Sequence, residues 1–473
     1  MKMLFVSNEV VPFAKVGGLA DVAGTLPIAL CERGIDARVV MPLHRACLQH
    51  GPFEDVCPSM PVTLGAETLN ASVLRGSLEG GGTPVYFIRY DPFFDRPEIY
   101  GEGGTDYPDA AERYAFFSSA ALQIPQATGF QPDVVHANDW MAGLLPLFSV
   151  RVNPVPPTLY TIHNLAYQGE YAEDKAGAIG VLWDPEARLN DVINFMAAGV
   201  RRATLVSTVS RRYAEEIQTA DFGCGLERLL ADRSADLYGV VNGIDYGLWN
   251  PASDPAIPAS FSKGDLGGKA RCKAALQKDM GLAVDPGIPL VGCVSRLAVQ
   301  KGLDVLAGII PRALKLPMQF VLLGTGQADL EKRYTKLAAA HPRFVAVTVG
   351  FNDPLARRIY AGSDLFAMPS RYEPCGLGQM ISMAYGTVPI VNYTGGLADT
   401  VTEEGEAPTG FVHHTVTRPE VLAAFKRASE AYHDRRRWSA LVAHCLAKDF
   451  SWADSARKYE ELYRTALAKT SGG

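Results

Sequence analysis

The chain has 473 residues, 48% of them hydrophobic and 20% charged, with a formal net charge of −6. That length exceeds one ordinary hydrophobic core and predicts two domains, and the balance is that of a globular protein rather than a disordered or fibrous one. Net acidity offers no electrostatic basis for binding nucleic acid or anionic membrane, and no apolar run approaches a membrane span.

In chain order, "MKMLFVSNEV" is too short and too quickly polar for the apolar region of a signal peptide. It predicts a first strand and a cytoplasmic protein. "ARVVMP", "PVYFIRY", "PDVVHA", "TLYTIH" and "ATLVSTVS" follow as further strand candidates, separated by longer helical patterns. A stretch rich in Pro, Gly, Asp and Ser then runs from "NGIDYGLWNPASDP" to "FSKGD" and predicts a linker near residues 246–260. A second series begins near residue 288 with "PLVGCVSRL", "MQFVLLGTG", "FVAVTVG", "DLFAMPS" and "VPIVNYTGG". Alternating strands and helices of this kind predict an α/β fold of two Rossmann-like domains facing each other across a deep cleft. The tail "FSWADSARKYEELYRTAL" predicts one helix, with Ser451 as cap, Asp454 at the capping-box position and a core-facing stripe of Trp452, Tyr459, Leu462, Tyr463 and Leu467. Arg435, Arg436 and Arg437 predict a solvated helix face. The eight scattered cysteines contain no C-x-x-C pair, which argues against a zinc ribbon and fits a reducing compartment.

Several familiar motifs are missing. "GDLGGKAR" has the wrong spacing for a phosphate-binding P-loop, and Ala270 stands where a hydroxyl is needed. "GTGQAD" lacks the third glycine of a dinucleotide fingerprint, and neither H-E-x-x-H nor G-x-S-x-G occurs. Other stretches carry chemistry at the carboxyl ends of predicted strands, where open α/β sheets bind ligands. "AKVGGLAD" sets Lys15, Gly17 and Gly18 between a strand and a helix. It reads either as a tight turn or as a loop that grips an anion through backbone N–H groups and a helix dipole. "SRLAVQKGLD" supplies Arg296 and Lys301, a fork and a point charge suited to a diphosphate or simply two solvated loop cations. "SRYEPCGLGQ" places Glu373 before a helix start, as a hydroxyl acceptor or an ordinary first-turn acid. "HANDW" and "TIHNLAYQG" add Asp139, His163 and Asn164, the histidine reading equally as a structural one.

In order, "KVGGLADV", "HANDW", "TIHNLAYQG", "VVNGID", "SRLAVQKGLD", "PSRYEPCGLGQ" and "NYTGGLADTV" resemble the bacterial glycogen synthases and their plant starch synthase relatives over essentially the whole chain. That resemblance implies the GT-B glycosyltransferase fold, with an acceptor-side domain over 1–245, a nucleotide-sugar domain over 246–455 and a last helix, 456–473, crossing back to the first. It implies retaining transfer of glucose from ADP-glucose to a glucan 4-hydroxyl, with ADP and glycogen or malto-oligosaccharide as partners and no metal or other cofactor. It assigns catalysis to His163, Arg296, Lys301, Glu373 and Asp139. It assigns the donor to Lys15, Gly17, Gly18, Asp21, Asn242, Phe351, Cys375, Gly376, Leu377, Thr394 and Gly395, and the acceptor to Glu9, Asn164 and Trp140. Many two-domain glycosyltransferases carry a second Glu eight residues after the first; here Ile381 occupies that position, which favours the glycogen and starch synthase branch and weakens a two-carboxylate mechanism.

Overall fold

The β-branched and aliphatic runs become strands buried on both faces, as parallel strands covered by helices must be. The computed structural model describes residues 1–78 and 82–471. They divide into two units: residues 1–243 together with the segment from Trp452 onward, and Ile244–Ser451. The expected boundaries after 245 and 455 fall slightly later than these.

The first unit contains β1 (Lys2–Val6), α1 (Gly18–Glu32), β2 (Asp36–Pro42), β3 (Glu54–Leu64), β4 (Glu67–Ser77), β5 (Pro84–Arg89), β6 (Val134–Asn138), β7 (Thr158–Ile162), β8 (Leu205–Thr208) and β9 (Leu237–Gly239). They form one 9-stranded sheet in the order β9-β8-β7-β6-β1-β2-β5-β4-β3. All neighbours are parallel except β5–β4 and β4–β3. The β3–β4 hairpin is absent from the expected strands. Pro58 and Pro61 interrupt the β3 run and demote it as a strand in sequence. In the fold β3 is an edge; Pro58 falls within register shifts between Asp55 and Met60, while Pro61 stays in register opposite Asn70.

The second unit contains β10 (Leu290–Val294), α2 (Leu303–Ala313), β11 (Gln319–Gly324), β12 (Val345–Val349), β13 (Leu365–Met368), α3 (Gly378–Ala384), β14 (Val388–Asn392), α4 (Gly395–Thr400) and β15 (Phe411–His413). Its 6-stranded sheet is wholly parallel, in the order β12-β11-β10-β13-β14-β15. The stretch expected to be a linker is instead part of this unit's packing. Phe261 is buried, the Tyr385 hydroxyl donates to Asp254 Oδ2 at 2.5 Å, and Arg357 Nη1 donates to Leu248 O at 2.8 Å. Its Pro- and Gly-rich composition marks irregular backbone, which tertiary contacts have ordered.

The last helix, α5 (Trp452–Ser471), packs on the first unit. Trp452, Tyr459, Leu462 and Tyr463 are buried in its core, with Leu467 packed against it. The expected capping box does not form. Ser451 N donates to Asp449 Oδ1, while the Asp454 carboxylate pairs with Arg457 and Lys458. Arg435, Arg436 and Arg437 are exposed on a helix. No helix among the described residues is long and apolar enough to cross a membrane.

Each sheet reverses its winding once. In the first unit the chain moves outward from β1 to β2 and later returns to β6 on the other side of β1. In the second it moves from β10 to β11 and returns to β13. A sheet of this kind opens a crevice at the carboxyl ends of the two strands flanking the reversal.

Candidate active site

In the first unit the loops after β1, β6 and β7 meet at that reversal. Glu9, buried just past β1, accepts the Val16 N–H at 2.5 Å and the Gly17 N–H at 2.8 Å through Oε2. Its other oxygen takes a short hydrogen bond from the Tyr100 hydroxyl. One carboxylate therefore folds the "KVGG" loop back over the end of its own strand. Lys15, Val16, Gly17 and Gly18 are exposed, and Lys15 Nζ reaches Asp21 Oδ1 at 2.7 Å on the first turn of α1. Gly17 has φ −131°, which any residue adopts, and a Cβ there would meet nothing within 4 Å. Neither packing nor backbone conformation asks for a glycine at that point.

Asp139 follows β6 with φ 59° and ψ −179°, a conformation that costs an L-residue about 1–3 kcal/mol and that clusters at functional sites. It is buried, and its Oδ1 accepts the Trp140 N–H at 3.1 Å. Burial lifts its pKa from 3.8 to about 8, with the charge of Glu9 adding to the rise and the backbone N–H groups of Trp140, Asn164 and His163 opposing it. Asp139 thus keeps its proton at neutral pH. His163 Nε2 lies 3.0 Å from Asn138 Oδ1, and burial lowers its pKa to about 3, so the ring is neutral. Asn164 Oδ1 accepts the Ala166 N–H at 3.1 Å and shapes the turn that carries both residues. Trp140 packs edge-on against Tyr114 with ring centres 4.8 Å apart. Asn242 is also buried, but beyond edge strand β9; its Oδ1 has no hydrogen-bond partner among the described residues.

In the second unit the loops after β10 and β13 carry the charged groups. Lys301 precedes α2, and its Nζ lies 2.9 Å and 2.7 Å from the two carboxylate oxygens of Glu373. Ser370 Oγ donates to Glu373 Oε2 at 2.9 Å. Glu373 is buried and Lys301 partly so. Arg296, exposed, donates to Gln300 Oε1 at 3.1 Å. The loop after β14 closes on the same place. Thr394 is buried just before α4, and Gly395 has φ 43°. A Cβ on Gly395 would stand 2.0 Å from Glu373 O, so only glycine lets the two backbones touch. Gly396 N donates to Glu373 O at 3.1 Å. Cys375 is buried and Gly376 turns with φ 75°, both carbonyls accepting from Gln379 Nε2; half-buried Leu377 leads into α3. Phe351 is 89% exposed at the carboxyl end of edge strand β12, on the same edge of the sheet but three strands from β13.

The structure therefore brings Glu9, Lys15, Gly17, Gly18, Asp21, Asp139, Trp140, His163 and Asn164 together in one unit. Arg296, Lys301, Glu373, Cys375, Gly376, Leu377, Thr394 and Gly395 gather in the other. Asn242 follows edge strand β9 and Phe351 follows edge strand β12. Among the described residues no group of three or more His, Cys, Asp and Glu side chains is placed to hold a metal ion.

Residues 2–232 match the family model for the starch synthase catalytic domain, and residues 288–430 match that for glycosyl transferases group 1. Glycogen synthase from Anaeromyxobacter dehalogenans is 45% identical across 98% of this chain and 99% of the relative. Glycogen synthase 2 from Geobacter sulfurreducens is 42% identical across the full length of both. The chain belongs to the glycogen synthase family. The solved catalytic domain of starch synthase IV from Arabidopsis thaliana, bound to ADP and acarbose, is 33% identical with a TM-score of 0.90, covering 98% of this chain and 99% of that one. A sucrose-phosphate synthase from Thermosynechococcus elongatus, at 19% identity and a TM-score of 0.62, shares the fold.

A member of this family is a glycosyltransferase of the GT-B fold, with its α/β units built on parallel sheets. Motif reading passes over four residues that shape the site: Tyr100, Asn138, Gln300 and Ser370. Three of these lie inside motifs already singled out by sequence, yet their work is to orient a neighbour, which spacing does not reveal. Tyr100 sits in "PEIYGEGG", where nothing local points toward Glu9.

Proposed function

We propose that the chain transfers glucose from ADP-glucose to the 4-hydroxyl at the non-reducing end of an α-1,4-glucan, with retention, releasing ADP in the cytoplasm. The full-length likeness to a starch synthase solved with ADP and acarbose carries this reading. Eight free cysteines fit a reducing compartment.

Arg296 and Lys301 hold the diphosphate and stabilise the negative charge that grows as the bond from C1 to phosphate breaks. Preorganised donors of this kind are worth about 3–4 kcal/mol each in the transition state. Glu373 accepts sugar hydroxyls and holds Lys301 in place, and the backbone of Cys375, Gly376 and Leu377 with Thr394 and Gly395 lines the phosphates. Phe351 stacks on adenine. Lys15, Gly17 and Gly18 add a cation and exposed backbone N–H groups for the phosphates, with Asp21 fixing the lysine. Asn242 lies toward sugar or phosphate. His163 presents its ring and carbonyl to the glucosyl centre, protonated Asp139 donates to a sugar oxygen, and Glu9, Asn164 and Trp140 meet the acceptor. The electron pair of the breaking bond leaves with ADP. The acceptor O4 bonds to C1 from the same face, and its proton passes to a phosphate oxygen. Cations in the loops take the role a metal plays elsewhere, so no metal enters the scheme.

The test is ADP release from ADP-glucose with glycogen, beside UDP-glucose, a no-glycogen blank and added EDTA. Glycogen-dependent release that favours ADP-glucose and ignores EDTA is expected. Preference for UDP-glucose overturns the donor assignment, loss of activity in EDTA overturns the metal-free scheme, and a covalent glucosyl adduct on a carboxylate overturns the same-face mechanism.

A further inference from the structure

Beneath His163 lies a buried polar ladder that the reaction scheme does not use. His136 and Asn138 are two residues apart on β6, and Thr161 and His163 are two apart along β7 and its end, so each pair shares a face of the sheet. Asn138 is the register partner of Thr161. His136 Nε2 meets Thr161 Oγ1 at 2.6 Å, and Asn138 Oδ1 meets His163 Nε2 at 3.0 Å: one diagonal contact, repeated one step along the strands. Thr161 Oγ1 is 2.6 Å from Ser207 Oγ on β8. His136 Nδ1 is 2.9 Å from the Tyr463 hydroxyl of α5. Every member from Tyr463 to Asn138 is fully buried.

The orientation of the Asn138 amide follows from its neighbours. Its Nδ2 lies 3.1 Å from Val6 O and 3.3 Å from His136 O. Both are carbonyls, which only accept, so the amino group must face them and Oδ1 must face the histidine. A ring nitrogen against an amide oxygen carries the proton. His163 is then protonated on Nε2, and in the neutral ring Nδ1 is a bare lone pair.

We propose that Asn138 is a positioning residue that sets the tautomer of His163, so that Nδ1 meets the sugar as a hydrogen-bond acceptor and never as a donor. The ladder that ends at Tyr463 holds β6 and β7 in the register that delivers Asn138 to His163. This rests on the reading of His163 as a glucosyl-site residue.

The experiment is 15N NMR of the histidine rings in the full chain, with the His163 signal assigned by its loss in His163→Gln. The wild-type ring is expected as the Nε2–H tautomer; an Nδ1–H ring overturns the proposal, and this measurement needs no variant of Asn138 to fold. In Asn138→Leu the tautomers are expected to mix. The kcat is expected to fall about 10–100-fold, as for outer residues that orient a functional histidine, with the KM for ADP-glucose within twofold of wild type. An unchanged tautomer together with an unchanged kcat overturns the proposal. If His163→Gln itself keeps full kcat, the glucosyl-site reading fails, while the wild-type spectrum still decides the tautomer.

Discussion

The two units deliver charge to the ends of their sheets in different ways. In the second, Lys301 meets both oxygens of a buried Glu373, and Gly395 presses directly on the backbone of that glutamate. In the first, Lys15 reaches Asp21 across an exposed loop whose shape depends on one carboxylate, Glu9. A buried ion pair and touching backbones leave the second cluster few alternative arrangements. The first is a tethered loop, whose ion pair is screened by water and contributes little to stability.

Breaking that contrast should produce effects of graded size. Glu373→Ala strands a partly buried ammonium. It should cost about 3 kcal/mol of stability, at the lower end for a broken buried pair because Lys301 keeps some solvent, read as a lower urea midpoint. ADP release should fall on the order of a hundredfold or more. The next effect concerns pH. Asp139 binds a proton more tightly when folded, with a pKa of about 8 against 3.8. Its contribution to stability is complete below the unfolded value and is lost as pH rises toward 8. The difference in urea midpoint between wild type and Asp139→Asn should therefore change between pH 4 and pH 8 and level off above that; a constant difference would refute the shift. Glu9→Gln keeps the shape but removes a charged acceptor from two N–H groups, each such bond being worth about 1.5–3 kcal/mol. Faster hydrogen exchange at Val16 and Gly17, with the exchange of β10 unchanged, is the expected signature. Asp21→Asn should be smallest, within about 1 kcal/mol in stability and weakening further with salt. A loss as large as that of Glu373→Ala would erase the distinction between the two sites.

Much of the placement of the candidate site residues was legible before the fold. Lys15, His163, Arg296, Lys301 and Glu373 all stand at predicted strand ends, because hydrophobic runs mark the strands and ligand chemistry follows their carboxyl ends. The hairpin β3–β4 was not legible, since its prolines look like breaks until the strand is seen to lie at an edge. Nor was the packing of the Pro- and Gly-rich stretch after Gly243, where composition reports irregular backbone and says nothing of whether Asp254 finds Tyr385. The capping box at Ser451 satisfied every local rule and still lost to a neighbouring aspartate and two cations.

By itself the sequence determined the largely parallel α/β architecture, most of its strands in chain order and the family, because periodicity and motif order are properties of a line. Only the tertiary structure decided that Glu9 holds the glycine loop, that Asn138 faces His163 and that Gly395 must lack a side chain. Those depend on groups from 7 to 25 residues apart meeting within hydrogen-bond or contact distance, and no spacing along the chain encodes such a meeting.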